Sequence, residues 1–285
     1  MITNKLNIPQ IFIDCVENNR EFQQNRYSVT ELLQPTQCIQ LIRKHFNEID
    51  EDAADLIPAL IGTAVHKMLQ EKTPEENAEV KLETQFKNIQ LVGILDYLDL
   101  KNLLITDYKV TSVYKYQAQE FDDYYKQGAL YSLLVYLIYD VKIKKVNFQL
   151  LLKDWSKIKA LTTNNYPASP IVKVEYDIND SDFDFIIEWL NNKLLELSSN
   201  KNECSDSDRW YTGKKYAVYK KAGDKRASYI TNDEIDAHNY ITNKCDGAAE
   251  IQVRQGENIK CKYYCKARSV CPQYEKIRRN EWTRT

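Results

Sequence analysis

The sequence predicts an α/β fold in which a mixed β-sheet is flanked by helices, followed by a C-terminal accessory region stapled by a metal. Three observations predict it. A β-rich stretch over 78–110 separates two helical stretches, and a further strand follows the second helix at a distance that suits a parallel pair. Five of the seven cysteines lie beyond residue 200. We therefore expect an N-terminal extension, a core and a cysteine-rich region over 1–27, 28–200 and 201–285.

The elements of the core follow from local patterns. Ser28 and Glu31 have the spacing of a capping box, and Pro35 limits the helix that they open. Two β-rich stretches separated by Lys87 and Asn88 predict an antiparallel hairpin. The expected strands span 78–86, 89–99, 103–110, 146–152 and 171–178, and the expected helices span 57–71, 117–139 and 182–198.

Composition excludes several classes of protein. There are 39 Lys+Arg and 41 Asp+Glu residues, a formal net charge of −2, which argues against a protein that coats DNA through a global basic field. The longest apolar stretch, around 130–138, is shorter than the roughly 20 residues that span a bilayer. The N-terminus lacks the pattern of a secretory signal. We expect an intracellular protein that has no membrane partner. It would lie in the cytoplasm, or in the host cytoplasm if the chain is viral.

A carboxylate–lysine group is the strongest candidate site. Asp96 lies near the end of the second strand, and Asp107 and Lys109 share one face of the third because alternate strand residues do. Carboxylates can hold Mg²⁺ or Mn²⁺ for phosphodiester hydrolysis, and Lys109 can orient or help deprotonate the attacking water, or balance phosphate charge. An isolated D-x-K is more often an exposed charge pair. Here both acids follow apolar runs, where unpaired charge is costly.

Helical residues extend the candidate set. His66 lies in GTAVHKML, where Gly62 and Ala64 would allow a close approach to a sheet edge. Gln127 and Tyr131 are four residues apart on one helical face and can contact substrate or orient Lys109. Alone, each is more often an ordinary surface or core residue.

Together these residues resemble the PD-(D/E)XK nuclease superfamily, specifically its RecB-type branch, which includes CRISPR-adaptation nucleases and phage exonucleases. The branch has a helix histidine, then G-x-x-D, (D/E)-x-K and Q-x-x-x-Y, in that order. The matching segments, over roughly 28–152, are His66, Gly93–Asp96, Asp107–Lys109 and Gln127–Tyr131.

The resemblance implies a restriction-endonuclease-like core. It implies His66, Asp96, Asp107 and the backbone carbonyl of Tyr108 as metal ligands, and Lys109 as the catalytic base or water-orienting group. Glu83 lies where such enzymes sometimes place an acidic residue, although a solvated strand glutamate is the simpler interpretation.

The C-terminal cysteines form a second candidate site. Cys261, Cys265 and Cys271 occur as C-x3-C-x5-C, and thiolates so spaced suit zinc or an iron–sulfur cluster, both of which usually need four ligands. By resemblance the fourth is Cys204, as in phage members, or alternatively Cys38, as in CRISPR-adaptation members. The resemblance favours a structural 4Fe–4S cluster over zinc. The two remaining cysteines are interpreted as ordinary thiols: Cys15 and Cys245.

A basic stretch lies between Cys204 and Cys261. It interleaves Tyr216 and Tyr219 with cations, a pattern that suits single-stranded DNA as well as a solvated hairpin. The cations are Lys214, Lys215, Lys220, Lys221, Lys225 and Arg226.

The function predicted from these motifs is that of a divalent-metal-dependent DNA nuclease. We expect an exonuclease acting on DNA ends or single strands in phage-type replication, recombination or repair, alongside proteins of those processes. One alternative is a CRISPR-adaptation-like end-trimming nuclease. Another, of a different class, is a catalytically inactive DNA-binding or scaffold module.

Overall fold

The structure, a computed structural model, describes residues 2–16, 22–199, 203–221, 223–245 and 249–282. The chain divides into two compact units, Met1–Lys201 and Asn202–Thr285, here called the N-terminal and C-terminal units. The predicted boundary at 200–201 lies outside the described residues, so the predicted domain limits stay a prediction.

The N-terminal unit alternates short and long elements. Its strands are β1 (Ile2–Thr3), β2 (Arg26–Ser28), β3 (Glu51–Asp52), β4 (Ala78–Phe86), β5 (Ile89–Asp99), β6 (Leu104–Thr111), β7 (Lys145–Leu152) and β8 (Ile171–Asp177). Its helices are α1 (Gln10–Val16), α2 (Val29–Leu32), α3 (Thr36–Lys44), α4 (Ala53–Gln70), α5 (Val113–Ala118), α6 (Asp122–Tyr139), α7 (Lys157–Thr162) and α8 (Asp180–Ser198), with a 3-10 turn at Phe46–Glu48.

A six-stranded mixed sheet forms the centre of this unit. Its order is β2-β5-β6-β7-β8, with β4 also paired to β5. The β6–β7 pair is parallel, as the helical crossover predicts, while β4–β5, β5–β6 and β7–β8 are antiparallel. Buried apolar residues of α6 and α8 pack with the sheet in one core cluster, which includes Leu130, Leu134, Phe148 and Ile186. The predicted α/β fold with a mixed sheet flanked by helices is therefore confirmed.

Two elements differ from expectation for local reasons. The helix expected over 117–139 is two helices, because Gln119 adopts a left-handed conformation (φ 55°) that ends α5. The second helix then begins with Asp122 and Asp123, acids that stabilise a helix N-terminus. Helix α4 begins four residues earlier than expected, since the side chain of Asp52 caps it by accepting from the Ala54 amide.

Strand β5 is shared between two neighbours along one edge. Its first half pairs with β2 at Gln90–Val92, and its last residues pair with β6 only over Tyr97–Asp99. Because Tyr97 opposite Thr106 is the last pair, β5 and β6 diverge beyond it. The two strands therefore form a fork that opens at Asp96 and Asp107.

Glycine has a packing role on the sheet but not on α4. A Cβ at Gly93 would lie 2.7 Å from Leu134 Cδ1 and 3.1 Å from the Tyr131 ring, so this glycine lets α6 lie directly on β5. The close approach expected at Gly62 is wrong, because a Cβ there would meet nothing within 4 Å. The glycine of the G-x-x-D motif thus sets the position of the Q-x-x-x-Y helix.

The C-terminal unit contains small elements. Its strands are β9 (Lys215–Tyr219), β10 (Tyr229–Thr231) and β11 (Glu250–Arg254), and its helices are α9 (Glu234–Lys244), α10 (Ile259–Tyr263) and α11 (Pro272–Trp282), with a 3-10 turn at Lys266–Val270. The strands form an antiparallel sheet in the order β10-β9-β11. Across the described part of both units, every helix falls short of the length or apolar character needed to cross a bilayer.

Candidate active site

The fork between β5 and β6 brings the predicted acids together. Asp96 precedes the last β5–β6 pair and Asp107 follows it. The Asp96 Oδ2 atom accepts a hydrogen bond of 2.7 Å from the Tyr108 amide, so a side chain takes the place of the backbone ladder where the strands part. The backbone of β6 therefore fixes the position of the Asp96 carboxylate.

Asp107 is a buried acid, only 2% exposed, with two different neighbours. Its Oδ1 atom accepts a 3.1 Å hydrogen bond from Gln127 Nε2, which also donates to the Tyr131 hydroxyl at 2.9 Å. Its Oδ2 atom lies 2.7 Å from Lys109 Nζ in an ion pair. Burial, opposed by Lys109 and reinforced by Asp96, raises the pKa of Asp107 to about 6.

Gln127 contacts the acid, and Tyr131 contacts Gln127. Both side chains are buried on α6, so the pair helps to hold Asp107 in place. The expected contact with substrate or with Lys109 stays a prediction. Burial also raises the pKa of Tyr131 well above its usual range, so its hydroxyl remains a neutral partner for the amide.

Two aromatic rings of the core lie next to the Lys109 ammonium. Its Nζ atom lies 5.9 Å from the ring centroids of both Tyr124 and Phe148, which stack on each other at 5.0 Å. A cation over ring faces is attracted to their electron density. The lysine is therefore positioned by the Asp107 carboxylate and by two rings of the core, while its side chain stays about one-quarter exposed.

His66 reaches the fork from α4. Its Nδ1 atom lies 3.1 Å from Asp96 Oδ1, and this hydrogen bond, more than the opposing desolvation, raises the pKa of His66. The imidazole and both acids thus belong to one electrostatic group, since Asp107 also raises the pKa of the histidine.

Glu79 is the residue that the sequence analysis missed. It lies opposite Asp96, because Ala78 pairs with Tyr97 and Val80 pairs with Leu95. Ligand atoms of His66, Glu79 and Asp96 all lie within 4.8 Å of one another. Like charges directly opposite on a sheet are destabilising, and burial together with Asp96 raises the pKa of Glu79.

The backbone at Glu79 is unusual as well. Its φ of 50° is a left-handed value that non-glycine residues seldom adopt. A signal for this residue was present in the sequence: the two-residue turn at 87–88 fixes the hairpin register, and counting back from it places Glu79 opposite Asp96.

Glu83 lies elsewhere. Its carboxylate accepts two hydrogen bonds from the Arg26 guanidinium, at 3.2 and 3.1 Å, and lies near Lys81. These neighbours lower the pKa of Glu83. It therefore forms a salt bridge between β2 and β4.

The donor set at the fork fits a hard divalent cation. Such cations prefer carboxylate and carbonyl oxygens, and transition-series members also accept imidazole. The Tyr108 amide points toward Asp96, and the carbonyl of a strand residue points to the same side as its amide. At the fork, ligand atoms of two carboxylates and an imidazole (Glu79, Asp96 and His66) therefore lie close together, and the Asp107–Lys109 ion pair lies on the adjoining strand.

Four cysteines of the C-terminal unit influence one another. Burial first, and then Cys265, Cys204 and Cys271, raise the pKa of the Cys261 thiol to about 11. The Cys204 amide donates to Gln273 Oε1 at 2.8 Å and its carbonyl accepts from Gln273 Nε2 at 2.9 Å, which ties it to the helix after Cys271. Within the described ranges, the sulfurs do not approach as closely as the His66 group.

The other three cysteines lie on different elements. Cys38 is buried on α3 of the N-terminal unit, Cys15 is exposed on α1, and Cys245 ends α9. None of the seven, all of which the structure describes, forms a disulfide.

The tyrosines of the basic stretch are buried or half-buried. Tyr219 is buried and its hydroxyl accepts from Arg254 at 2.7 Å, while the half-buried Tyr216 donates to Glu234 at 3.2 Å. Burial leaves little of the Tyr219 ring for stacking on a base, while the half-buried Tyr216 keeps part of its ring accessible. The lysines around them are exposed.

Comparison with known proteins identifies the family. The model of the PD-(D/E)XK nuclease superfamily matches residues 21–272. No curated protein sequence matches the chain. Among solved structures, it is similar to SSO0001 (14% identity, TM-score 0.47, covering 67% of this chain and 86% of that one). It is also similar to a phage related exonuclease from Haemophilus somnus 129PT (15% identity, TM-score 0.33, covering 48% and 68%).

Structural similarity at these scores carries no argument about activity. The family match covers most of the chain and includes every residue of the fork. This chain belongs to the PD-(D/E)XK nuclease superfamily.

Proposed function

We propose that this chain is a DNA nuclease dependent on Mg²⁺ or Mn²⁺, and that it acts as an exonuclease on DNA ends or single strands in phage-type replication, recombination or repair. The observation that carries the proposal is the fork, where His66 contacts Asp96 on β5 and Asp107 forms an ion pair with Lys109 on the adjoining β6. Nucleases of this superfamily use divalent metals, and the acidic group at the fork suits one.

The cation is held, in this proposal, by His66, Glu79, Asp96, Asp107 and the Tyr108 carbonyl. When bound, a divalent cation lowers the pKa of water and neutralises charge on a phosphate. The acids must be ionised to bind it, and the raised pKa values of Asp107 and Glu79 mean that protons compete with the cation as the pH is lowered.

Lys109 is the catalytic residue outside the ligand set. Its ammonium lies beside Asp107 and remains partly exposed, so it can orient the attacking water and balance charge on the phosphate in the transition state. Gln127 is a positioning residue, since it binds Asp107 Oδ1 and leaves Oδ2 toward Lys109. Gly93 affects the site indirectly, because its lack of a side chain lets α6, which carries Gln127, pack closely on β5.

The cysteine group is proposed to hold a structural 4Fe–4S cluster through Cys204, Cys261, Cys265 and Cys271, with zinc as the alternative. Cys204 is included because it raises the pKa of both Cys261 and Cys271, and Cys38 is the alternative fourth ligand. Both groups take cysteine thiolates as ligands, and the cluster is preferred because the cysteine pattern resembles that of phage members of the family.

End-labelled linear single strands, linear duplexes and closed circles, each incubated with Mg²⁺ or Mn²⁺, test the proposal. An exonuclease degrades the linear substrates and spares the circles. Cleavage of the circles would instead indicate an endonuclease. DNA that is bound but left intact with either metal would favour the scaffold alternative and overturn the proposal.

A further inference from the structure

Three aromatic side chains of the C-terminal unit are exposed next to one another. Trp210, Tyr263 and Tyr264 are 50%, 52% and 65% exposed. The rings of Trp210 and Tyr264 lie 5.4 Å apart between centroids, and those of Tyr263 and Tyr264 lie 6.4 Å apart. Large aromatic side chains contribute most to stability when they are buried, so a cluster of exposed rings points to a binding surface.

Lysines accompany these rings. The Nζ atom of Lys260 lies 5.4 Å from the Trp210 ring centroid, and that of Lys262 lies 5.3 Å from the Tyr263 centroid. We call these five residues the aromatic platform. The segment 259–268 also contains Lys266 and Arg268 and no acidic residue. Glu257, 3.7 Å from Lys262, is the carboxylate that offsets part of this charge.

The backbone holds the platform in a fixed arrangement. The Lys260 amide donates to the Arg209 carbonyl at 3.1 Å, and the Thr212 amide donates to the Glu257 carbonyl at 3.0 Å, so the loop that carries Trp210 is tied to α10. Trp210 has a φ of 51°, a strained value for a bulky residue, and such strain persists where the surroundings impose it. A surface arranged before binding loses little conformational entropy on binding.

We propose that the aromatic platform binds single-stranded DNA by stacking on unpaired bases while its lysines contact phosphates. Every base has a stackable face, and alternating aromatic and cationic groups are what a single strand requires. The inference rests on the proposed nuclease function for the identity of the polymer. It places the single-strand contact on more exposed rings than Tyr216 and Tyr219, on a different segment of the same unit.

Binding of a labelled single strand of about 16 nucleotides tests the proposal. All proteins are full-length and carry Asp107→Asn, so that cleavage does not consume the probe. Removing a ring in Trp210→Leu or Tyr264→Ala should weaken binding about fivefold or more, whereas Tyr264→Phe should bind like the parent. Tyr139→Ala, which removes an exposed tyrosine at the end of α6, is the matched control and should leave the affinity unchanged.

Two further readouts distinguish stacking from damage to the unit. Lys260→Gln should lower the slope of log affinity against log salt by about 0.7, the loss of one phosphate contact on a single strand. The affinity for a duplex of the same sequence should change less than that for the single strand, because its bases are already stacked. Equal losses for Tyr264→Phe and Tyr264→Ala would contradict stacking.

The outcomes separate this inference from the nuclease proposal. Binding that depends on the platform, in a wild-type chain that never cuts DNA, would sustain the inference and overturn the nuclease. A chain that cuts DNA, while the ring variants bind single strands like the parent, would overturn the inference alone. Ring variants that change the oligomeric state but not DNA binding would show that the surface contacts protein, and would also overturn it.

Discussion

The two units of this chain are stabilised in different ways. The N-terminal unit buries large side chains from the sheet and two helices, including Leu130, Leu134 and Phe148. In the described residues of the C-terminal unit, the buried apolar positions are mostly small: Ala217, Val218, Tyr219, Ala237, Cys261 and Ala267. A short unit with so little apolar burial usually needs a disulfide or a metal to fold.

We therefore expect the two proposed metal sites to have different physical roles. The fork is built on a large buried core, so a cation there would serve chemistry. The cysteine group lies in a unit with little buried apolar surface, so a cluster there would serve folding.

The largest expected effect is that of Cys271→Ser. Loss of one ligand should release the metal and unfold the C-terminal unit, because binding of a structural metal can contribute on the order of 10 kcal/mol to folding. Iron and zinc analysis together with limited proteolysis would measure this, with new cleavage sites expected only beyond residue 202. Cys245→Ser is the matched control, and release of metal by that variant would contradict the assignment.

The next largest effect is on the rate of DNA cleavage, without a change in the fold. Lys109→Met should lower the rate of DNA cleavage by about 10²- to 10⁴-fold, the usual contribution of a group that manages a proton in the transition state. Affinity for DNA and the fold should be unchanged, as measured by anisotropy and circular dichroism. Lys101→Met changes an exposed lysine in the turn before β6 and should cut DNA normally. A Lys109→Met protein within tenfold of the wild-type rate would exclude the catalytic role.

Two glycine substitutions should change the stability of the N-terminal unit in opposite directions. Gly93→Ala forces a Cβ against Leu134 and Tyr131 and should lower the free energy of unfolding by about 1–3 kcal/mol. Gly62→Ala, on α4, meets nothing and should raise it by up to about 1 kcal/mol through helix propensity. Urea denaturation measures both, and equal effects would show that α6 does not pack as described.

The smallest effect is that of Glu79→Gln. If Glu79 is a ligand, removing its charge should weaken Mn²⁺ binding about tenfold, or about 1.4 kcal/mol. Glu83→Gln, on the same strand but bound to Arg26, should not change the affinity. Calorimetric titration measures the Mn²⁺ affinity of both variants. Equal affinities would remove Glu79 from the ligand set.

Much of this architecture could be predicted because its signals are local. Three features each occupy one stretch of sequence: the hairpin turn at Lys87 and Asn88, the crossover helix and the D-x-K strand. Together they predict the strand order and the face of the sheet on which Asp107 and Lys109 lie. Contacts between distant segments were harder to predict. The fork depends on β5 switching from β2 to β6, and the break at Gln119 depends on one backbone angle, neither of which periodicity encodes.

The exposed surface was the least predictable feature. Cations interleaved with Tyr216 and Tyr219 look the same in sequence whether those rings face solvent or the small sheet. Trp210 and Tyr264 are about fifty residues apart, and only the backbone hydrogen bonds between their segments bring them together. Glu79, in contrast, could have been found by counting back from the hairpin turn.

Calorimetric titration of Mn²⁺ into the wild-type chain and into Asp96→Asn tests the cation site at the fork most directly. At pH 8 the wild-type chain should bind and Asp96→Asn should not. Wild-type affinity should fall as the pH is lowered through about 6, because protonation of Asp107, whose pKa is raised to that value, removes a ligand charge. Binding that survives Asp96→Asn undiminished would contradict the fork as the site of the cation.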